Sequence, residues 1–459
     1  MAETVNILIE NGASSPSLGA NDEWLNSIMS QGGENGNSKV QQPKFQRVPQ
    51  MLRGIKPNSD CYDPMVVSIG PYHHGKPELQ EMERLKITMA RHFFERSKEP
   101  VKALYNKVAQ VATDAKICYC ESSIEGLNDE AFTQMMFLDG SFVLQFIFCP
   151  EDRIKEMKPH VEAFVMRDLF LLENQLPFSV LNSLMSSSFE EGMKSIHDFI
   201  EEIRCFPTKQ ASIKENIMKT VSKLWPQAQK MEPEEENNQD PQPLHLLELF
   251  YTQFSKKSSS AFPRRKNKNR RVDNWFSYRS ANELKSVGIH FEPSKTASFM
   301  DVKFISTSLY GVLRLPPIHI GDLTKSLLLN LVAYEMSTDT SIVAKITSYI
   351  CFMDSLVDQP EDVKELRSNG ILVNFLGCDQ EVADLFNEIS KHLVLHRDAF
   401  EDVKDQIQSH YKNIGKRWIA EWLHTHFSSP WALLAFLGAS LALVLTAIQT
   451  YLSVFPTKG

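Results

Sequence analysis

The sequence predicts a mainly α-helical globular protein with a small β element, an α+β arrangement dominated by helix, plus one C-terminal transmembrane helix. Three observations predict it. Apolar residues recur at three- and four-residue spacing along most of the chain, the mark of helices that bury one face. One short region, residues 299–320, instead alternates apolar and polar residues, the mark of strands. Finally, the run WALLAFLGASLALVLTAIQTYLSVF, opening at Trp431, holds no charge, and about 20 apolar residues in a helix match a bilayer core.

The elements follow in order. Residues 1–44 contain SQGGENGNSK and are expected to be disordered, since such a composition buries too little apolar surface to offset the entropy of ordering. From Phe45 the pattern becomes globular, and residues 45–225 form a helical first half. Leu79, Met82, Leu85, Met89 and Phe93 predict a helix over Glu78–Ser97. Phe132, Met136, Phe142, Val143 and Phe146 predict a second, and Val161, Phe164, Val165, Leu169 and Leu172 a third. Shorter helices are expected over Leu176–Leu184 and Ile196–Ile203. Residues 226–273 then read as one long charged, proline-rich linker or insertion, enclosing only the short apolar helix HLLELFYTQF. The second half, 274–428, opens with a short helix over Ser280–Val287 and a strand over Phe299–Ser306, with further strands at Gly311–Leu315 and Ile318–Ile320. Helical periodicity returns over Leu323–Met336, Ser341–Val357, Pro360–Ser368 and Gln380–Leu395. Phe400, Val403, Ile407, Tyr411, Ile414, Trp418 and Trp422 mark a long, coiled-coil-like helix leading to Pro430 and the apolar run over 430–452.

Composition bounds the function. The 459 residues suffice for a large core, and 42% hydrophobic and 23% charged residues are ordinary for a globular protein. A net charge of −8 gives no general reason to expect nucleic acid as a partner. The 7 cysteines are scattered without a CxxC pair, the usage of reduced, mostly buried thiols in a cytosolic protein. No cofactor or metal is expected.

The apolar run reads as a tail anchor. Trp431 and Tyr451 stand at its ends, where amphipathic rings favour the interface. Leu434, Phe436, Leu441 and Leu445 supply apolar bulk between them. MAETVNILIE lacks the basic and apolar regions of a secretory signal, no Asn-x-Ser/Thr sequon occurs, and Lys412, Lys416 and Arg417 outnumber Lys458 across the span. The lipid bilayer is thus the expected partner, with the bulk of the chain on the cytosolic side.

Few residues carry chemistry. Asp139 and Asp168 fall on apolar helical stripes, where a carboxylate is costly unless paired or hydrogen-bonded. With Glu173 and the His73-His74 pair they could form an acid/base or metal constellation. The blander reading has them bonding loop amides or pairing with Arg53, Arg84 or Arg167, and the absence of any HExxH spacing favours it. Ser68-Ile-Gly-Pro-Tyr-His-His-Gly75 is dense in turn formers and reads as a packed corner before a helix. Pro177 ends the Leu-rich helix before it, with Asn174 and Gln175 bridging backbone groups. The basic cluster Arg264, Arg265, Lys266, Lys268, Arg270 and Arg271 resembles a nuclear-localisation or nucleic-acid patch, but reads first as a solvated linker balancing the acidic run before it, and next as a contact for anionic headgroups.

Several motifs together resemble the plant family catalogued as domain of unknown function 247. They are Val48-Pro49-x-x-Leu52-Arg53, Val67–Gly75, Met82-Glu83-x-x-Lys86, Met136-x-Leu138-Asp139-Gly140, Asp168–Phe178, Phe352-Met353-Asp354, Leu376-Gly377-x-Asp379 and Pro430-Trp431-Ala432. The resemblance implies a plant membrane protein with a C-terminal transmembrane segment and no assigned catalytic residue. Grass members are associated with self-recognition between pollen and stigma, which implies recognition or signalling. The leading expectation is therefore a membrane-tethered interaction protein with an unknown protein partner, its Phe400–Trp422 helix offering a route to a homo-oligomer. The alternative is a hydrolase or metal-dependent enzyme using Asp139, Asp168, Glu173 and His73.

Overall fold

The computed structural model describes residues 44–185, 189–205, 242–256, 279–307, 310–337, 344–394, 399–412 and 430–454. Residues from Pro43 onward group into one compact unit. The first half runs α1 (Gln50–Arg53), α2 (Gln80–Arg96), α3 (Val101–Ile117), α4 (Glu121–Ile124), α5 (Asp129–Phe148), α6 (Pro150–Glu156), α7 (Pro159–Asp168), α8 (Phe178–Met185) and α9 (Phe189–Cys205), with 3-10 turns at Lys56–Cys61 and Pro77–Leu79. After α10 (Leu246–Ser255) and α11 (Ala281–Ser286) come β1 (Ile289–Pro293), β2 (Lys303–Ser306), β3 (Gly311–Leu315) and β4 (Ile318–Ile320). The chain continues through α12 (Thr324–Ser337), α13 (Lys345–Leu356), α14 (Pro360–Ser368), β5 (Leu372–Asn374), α15 (Asp379–Ser390), α16 (Glu401–Lys412) and α17 (Pro430–Val454). The protein is mainly helical with a small β component.

Helix α5 is the axis of the first half. Asn128 caps it by accepting from the Ala131 amide, and the run from Phe132 to Ile147 is buried on nearly every side against α2, α3, α8 and α9. This explains why its apolar residues exceed a single stripe, since a helix buried all round needs no polar face. Among the described residues it is the helix long and apolar enough to cross a membrane, yet it lies inside the core. Gly140 lets α8 approach closely, because an added Cβ would stand 2.8 Å from a Leu184 methyl.

The small β component is two separate sheets. β3 is central in the first, parallel to β1 (Phe291 opposite Leu313) and antiparallel to β2 (Phe304 opposite Leu313), while β4 and β5 pair in parallel. Strands β1 and β5 have no counterpart in the sequence reading. The expected Phe299–Ser306 strand narrows to Lys303–Ser306.

Other differences from the expectation have physical causes. The sequence reading passes over α3, whose buried stripe Leu104, Val108, Ala112 and Ala115 is half alanine and gives a weak apolar signal. The third predicted helix stops at Asp168 rather than Leu172, because residues 169–177 form an irregular buried segment held by side chains rather than by helical bonds. The expected 226–273 linker contains a core element. Helix α10 buries Leu247, Phe250 and Phe254, and its N-cap His245 accepts from the Glu248 amide at 3.1 Å through Nδ1. The remainder of that linker, with the basic cluster Arg264–Arg271, lies outside the described residues.

The two halves share one core through polar crosslinks. The buried Asn330 of α12 accepts from the Leu172 amide at 2.9 Å and donates to the Cys61 carbonyl at 3.0 Å. On the same helix, Glu335 accepts from the Ile346 and Thr347 amides and so caps α13, a favourable position for a carboxylate at a helix N-terminus.

The long helix expected over Phe400–Trp422 is described over Glu401–Lys412. There Val403 and Ile407 are buried, the helix packs on β2, and the Phe400 and Phe352 rings touch. The apolar residues Val403 and Ile407 of this part pack on its own domain. Residues 413–429 lie outside the described residues.

Helix α17 spans 25 residues, about 37 Å at 1.5 Å per residue. Leu434, Phe436, Leu441, Leu443, Val444, Leu445 and Ile448 are all exposed on it. The continuous part whose side chains are described, Gly438–Thr450, is apolar but shorter than a bilayer crossing. The side chains of Trp431 and Tyr451 lie outside the described residues.

Candidate functional site

The candidate acids converge on one loop. Residues Met65–Gly75 run extended and then turn before α2, offering backbone groups with no partner in a helix or sheet. Buried backbone groups require partners, and side chains from α2, α5, α7 and the segment after α7 supply them.

Asp168, the last residue of α7 and fully buried, accepts from the amides of Met65, Val66 and Val67 at 2.8 to 3.1 Å. Arg167 donates to the same carboxylate at 2.8 Å. Burial raises the Asp168 carboxyl above the usual range, against the downward pull of the Val66 and Val67 amides, Arg167 and the Met65 amide. Asn174 continues the seal by accepting from the Ile69 amide at 2.7 Å and donating to the Val67 and Asp168 carbonyls. Gln175 donates to the Leu169 and Leu171 carbonyls and accepts from the Leu247 amide, which ties α10 to the same corner.

Asp139 of α5 accepts from the Gly70 amide at 2.9 Å and pairs with Lys86 at 2.7 Å. Lys86 is fully buried in α2, and its ammonium also donates to the Ser68 carbonyl and pairs with Glu83 at 2.7 Å. Its three protons thus have three acceptors. Burial alone would lower the ammonium pKa, but Asp139 and Glu83 outweigh it and hold Lys86 above the usual lysine range. Gly70 itself is required, because its φ is +72° and an added Cβ would stand 3.0 Å from the Tyr119 hydroxyl and 3.1 Å from the Gln175 carbonyl oxygen.

Glu173 faces the other end of the loop. It accepts from the Val48 amide at 2.8 Å and pairs with Arg53 at 3.1 Å, while Arg53 also reaches Asp63 at 2.9 Å. His73 lies between these acids, with Nδ1 3.8 Å from Asp63 and Nε2 3.8 Å from Glu173. Neither ring nitrogen has a hydrogen-bond partner. Burial, with Lys76 and Arg53 close by, lowers its pKa to about 4, so the ring is neutral near pH 7.

The structure thus brings Asp139, Asp168, Glu173 and His73 to one loop, while His74 is exposed and stands apart. Their chemistry is restraint. Asp139 and Asp168 are both held by protein donors and closed to solvent, and a general acid or base must reach a substrate proton. A shared metal is also ill-placed at His73, because Asp63 and Glu173 approach opposite nitrogens of its ring. Among the described residues no group of three His, Cys, Asp or Glu side chains could hold a metal ion. Of the predicted arginine partners, Arg53 and Arg167 take part, with Lys86 where an arginine was expected. Lys86 was visible in the sequence as a lysine on the Met82–Met89 stripe, but Asp63 gave no signal.

A separate opening lies in the second half. A polar cavity of about 540 Å³ is lined by Glu283, Asp354, Asp358, Gln359, Asp362 and Asn387 among others. Asp354 belongs to the Phe352-Met353-Asp354 motif. Asp362 is the joint here, accepting from the Asn282 amide and from the Gln359 amide.

The geometry defines a helical domain organised around a side-chain-clamped loop, with an apolar helix exposed over Leu441–Thr450. The chain belongs to the family DUF247, described as plant protein of unknown function, whose model matches residues 45–445. It is similar to two Arabidopsis thaliana proteins. The UPF0481 protein At3g47200 is 29% identical over 441 residues, covering 89% of this chain and 85% of its own. The UPF0481 protein At3g02645 is 28% identical over 483 residues, covering 89% of each. No solved structure matches the chain.

Proposed function

We propose that this protein is a membrane-tethered interaction protein, a rigid helical domain held at a bilayer by α17 with its bulk on the cytosolic side. The observation that carries the reading is the exposure of α17 over Leu441–Thr450. Every described side chain over Leu441–Thr450 faces outward, including Leu441, Leu443, Val444, Leu445 and Ile448. Such an apolar surface is unfavourable in water and natural in lipid. Its hydroxyls suit that setting, since Thr446 donates to the Ala442 carbonyl at 2.7 Å and Thr450 to the Thr446 carbonyl at 2.8 Å. The sealed carboxylates weigh against an enzymatic reading, because they hold a largely buried loop instead of lining an open cleft. Anionic headgroups near the basic cluster Arg264–Arg271 would add to the tether.

Protease protection on intact microsomes, with tags at both ends, tests the reading. Loss of the N-terminal tag with survival of the C-terminal tag is expected. Loss of both tags, with release of the chain by alkaline carbonate, would reject the tether.

A further inference from the structure

We propose that α17 pairs with a second copy of itself inside the membrane, with Gln449 as the residue that sets the pairing. The inference rests on the membrane reading above and extends it to a partner.

Gln449 has no hydrogen-bond partner among the described residues, and it is exposed on the stretch Leu441–Thr450, otherwise lined by apolar groups and self-satisfied threonines. It lies seven residues, about 10 Å along the axis, from the helix midpoint at Ala442. That places its amide within a hydrocarbon half-thickness of about 15 Å. The threonine hydroxyls can return to their own helix carbonyls, but a primary amide has two donor protons and an acceptor oxygen to satisfy. A second Gln449 supplies both, since in a parallel two-fold pair each amide donates to the other's carbonyl.

The spacing agrees. Gly438, Ala442, Leu445 and Gln449 follow the alternating four–three repeat of a two-helix seam and share one face. Gly438 and Ala442 allow close backbone approach, and an added Cβ at Gly438 would meet nothing within 4 Å in the monomer. Gln449 falls on the type of seam position where one polar residue fixes register and favours a pair.

Full-length chains bearing donor or acceptor fluorophores at the N-terminus, reconstituted in phosphatidylcholine vesicles over a range of protein-to-lipid ratios, test this. Wild type and Gln449→Asn should show energy transfer at low density. Gln449→Leu should need about tenfold higher density. The double variant Gln449→Leu/Val444→Gln, which moves the amide off the seam, should resemble Gln449→Leu. All four should resist carbonate extraction. If Gln449→Leu transfers like wild type while remaining carbonate-resistant, the pairing is overturned and the tether stands. Wild-type transfer in the double variant overturns the seam equally. If wild type itself is extracted by carbonate, the tether fails and the pairing falls with it.

Discussion

Lys86 and Asp139 form an ion pair at 2.7 Å with both side chains closed to solvent, joining α2 to α5 beneath the Ser68–Gly70 turn. Breaking such a pair leaves one charge buried without its counterion, which costs about 3–5 kcal/mol. Lys86→Met should therefore destabilise the folded chain by that amount, and Asp139→Asn by about 2–4 kcal/mol, since the amide still accepts from Gly70. The double variant Lys86→Met/Asp139→Asn should cost clearly less than the sum of the single changes. Urea unfolding of the detergent-solubilised chain gives the cycle. Strict additivity would mean that the pair is not coupled.

Asp168 acts through amides rather than through a cation alone. Asp168→Ala removes the acceptor of the Met65, Val66 and Val67 amides together, and should destabilise by about 2–5 kcal/mol. The sharper readout is local. Hydrogen exchange at Met65–Val67 should accelerate well beyond that of the α5 amides. Equal acceleration across both segments would place Asp168 in global stability only, not in holding the loop.

Two buried histidines, His73 and His245, and the half-buried His319 give the protein an acid-sensitive side. Burial lowers His245 to about 3 and His319 to about 4, and His73 also stands at about 4. An unfolded histidine takes its proton near pH 6.5. Between about pH 6.5 and 4 the unfolded chain therefore binds more protons than the folded one. Stability is fullest above pH 6.5 and is lost as pH falls toward 4, at up to about 1.4 kcal/mol per pH unit for each histidine. Burial-raised Asp139 and Asp168 work in the opposite direction, since their folded carboxyls hold protons more readily. The histidine contribution is thus best isolated by substitution. His245→Asn keeps a capping oxygen for the Glu248 amide and cannot titrate. Its stability should fall less than that of wild type between pH 7.5 and 5.5. Parallel curves would remove His245 from the pH response.

The sequence made α2, α5, α12 and α14 visible because each carries large apolar residues at helical spacing or a sharp start such as Gln359-Pro360. It concealed α3, whose buried face relies on Ala112 and Ala115, and the Leu169–Leu176 segment, where apolar residues are buried without a helix. Asp139 and Asp168 stood out as carboxylates in apolar surroundings, and that signal located the loop clamp. Their partners were less legible. Gly70, Ser68 and Met65–Val67 act through backbone groups, which carry no side-chain signature, and Asn330 acts across more than 150 residues of sequence. The same blindness to long-range packing made α10 read as part of a linker, when Phe250 and Phe254 were already its core residues.

The proposed tether through α17 is open to a test by a single substitution. Leu443 lies one residue from the midpoint of Pro430–Val454 and is 72% exposed. In water, Leu443→Arg would be nearly neutral or would improve solubility, because it replaces an exposed apolar side chain with a charged one. In a bilayer the same change costs about 2.5–3.5 kcal/mol at the helix centre, plus the lost leucine transfer. The helix lacks other charges to share that load, so the chain should shift markedly from the carbonate-resistant pellet to the supernatant. Moving the arginine to Thr450, about 10 Å nearer the end, should restore much of the pellet fraction, because a long side chain there reaches the headgroups. A depth dependence of this kind separates lipid insertion from adhesion to a protein surface, which has no reason to follow distance along the helix axis.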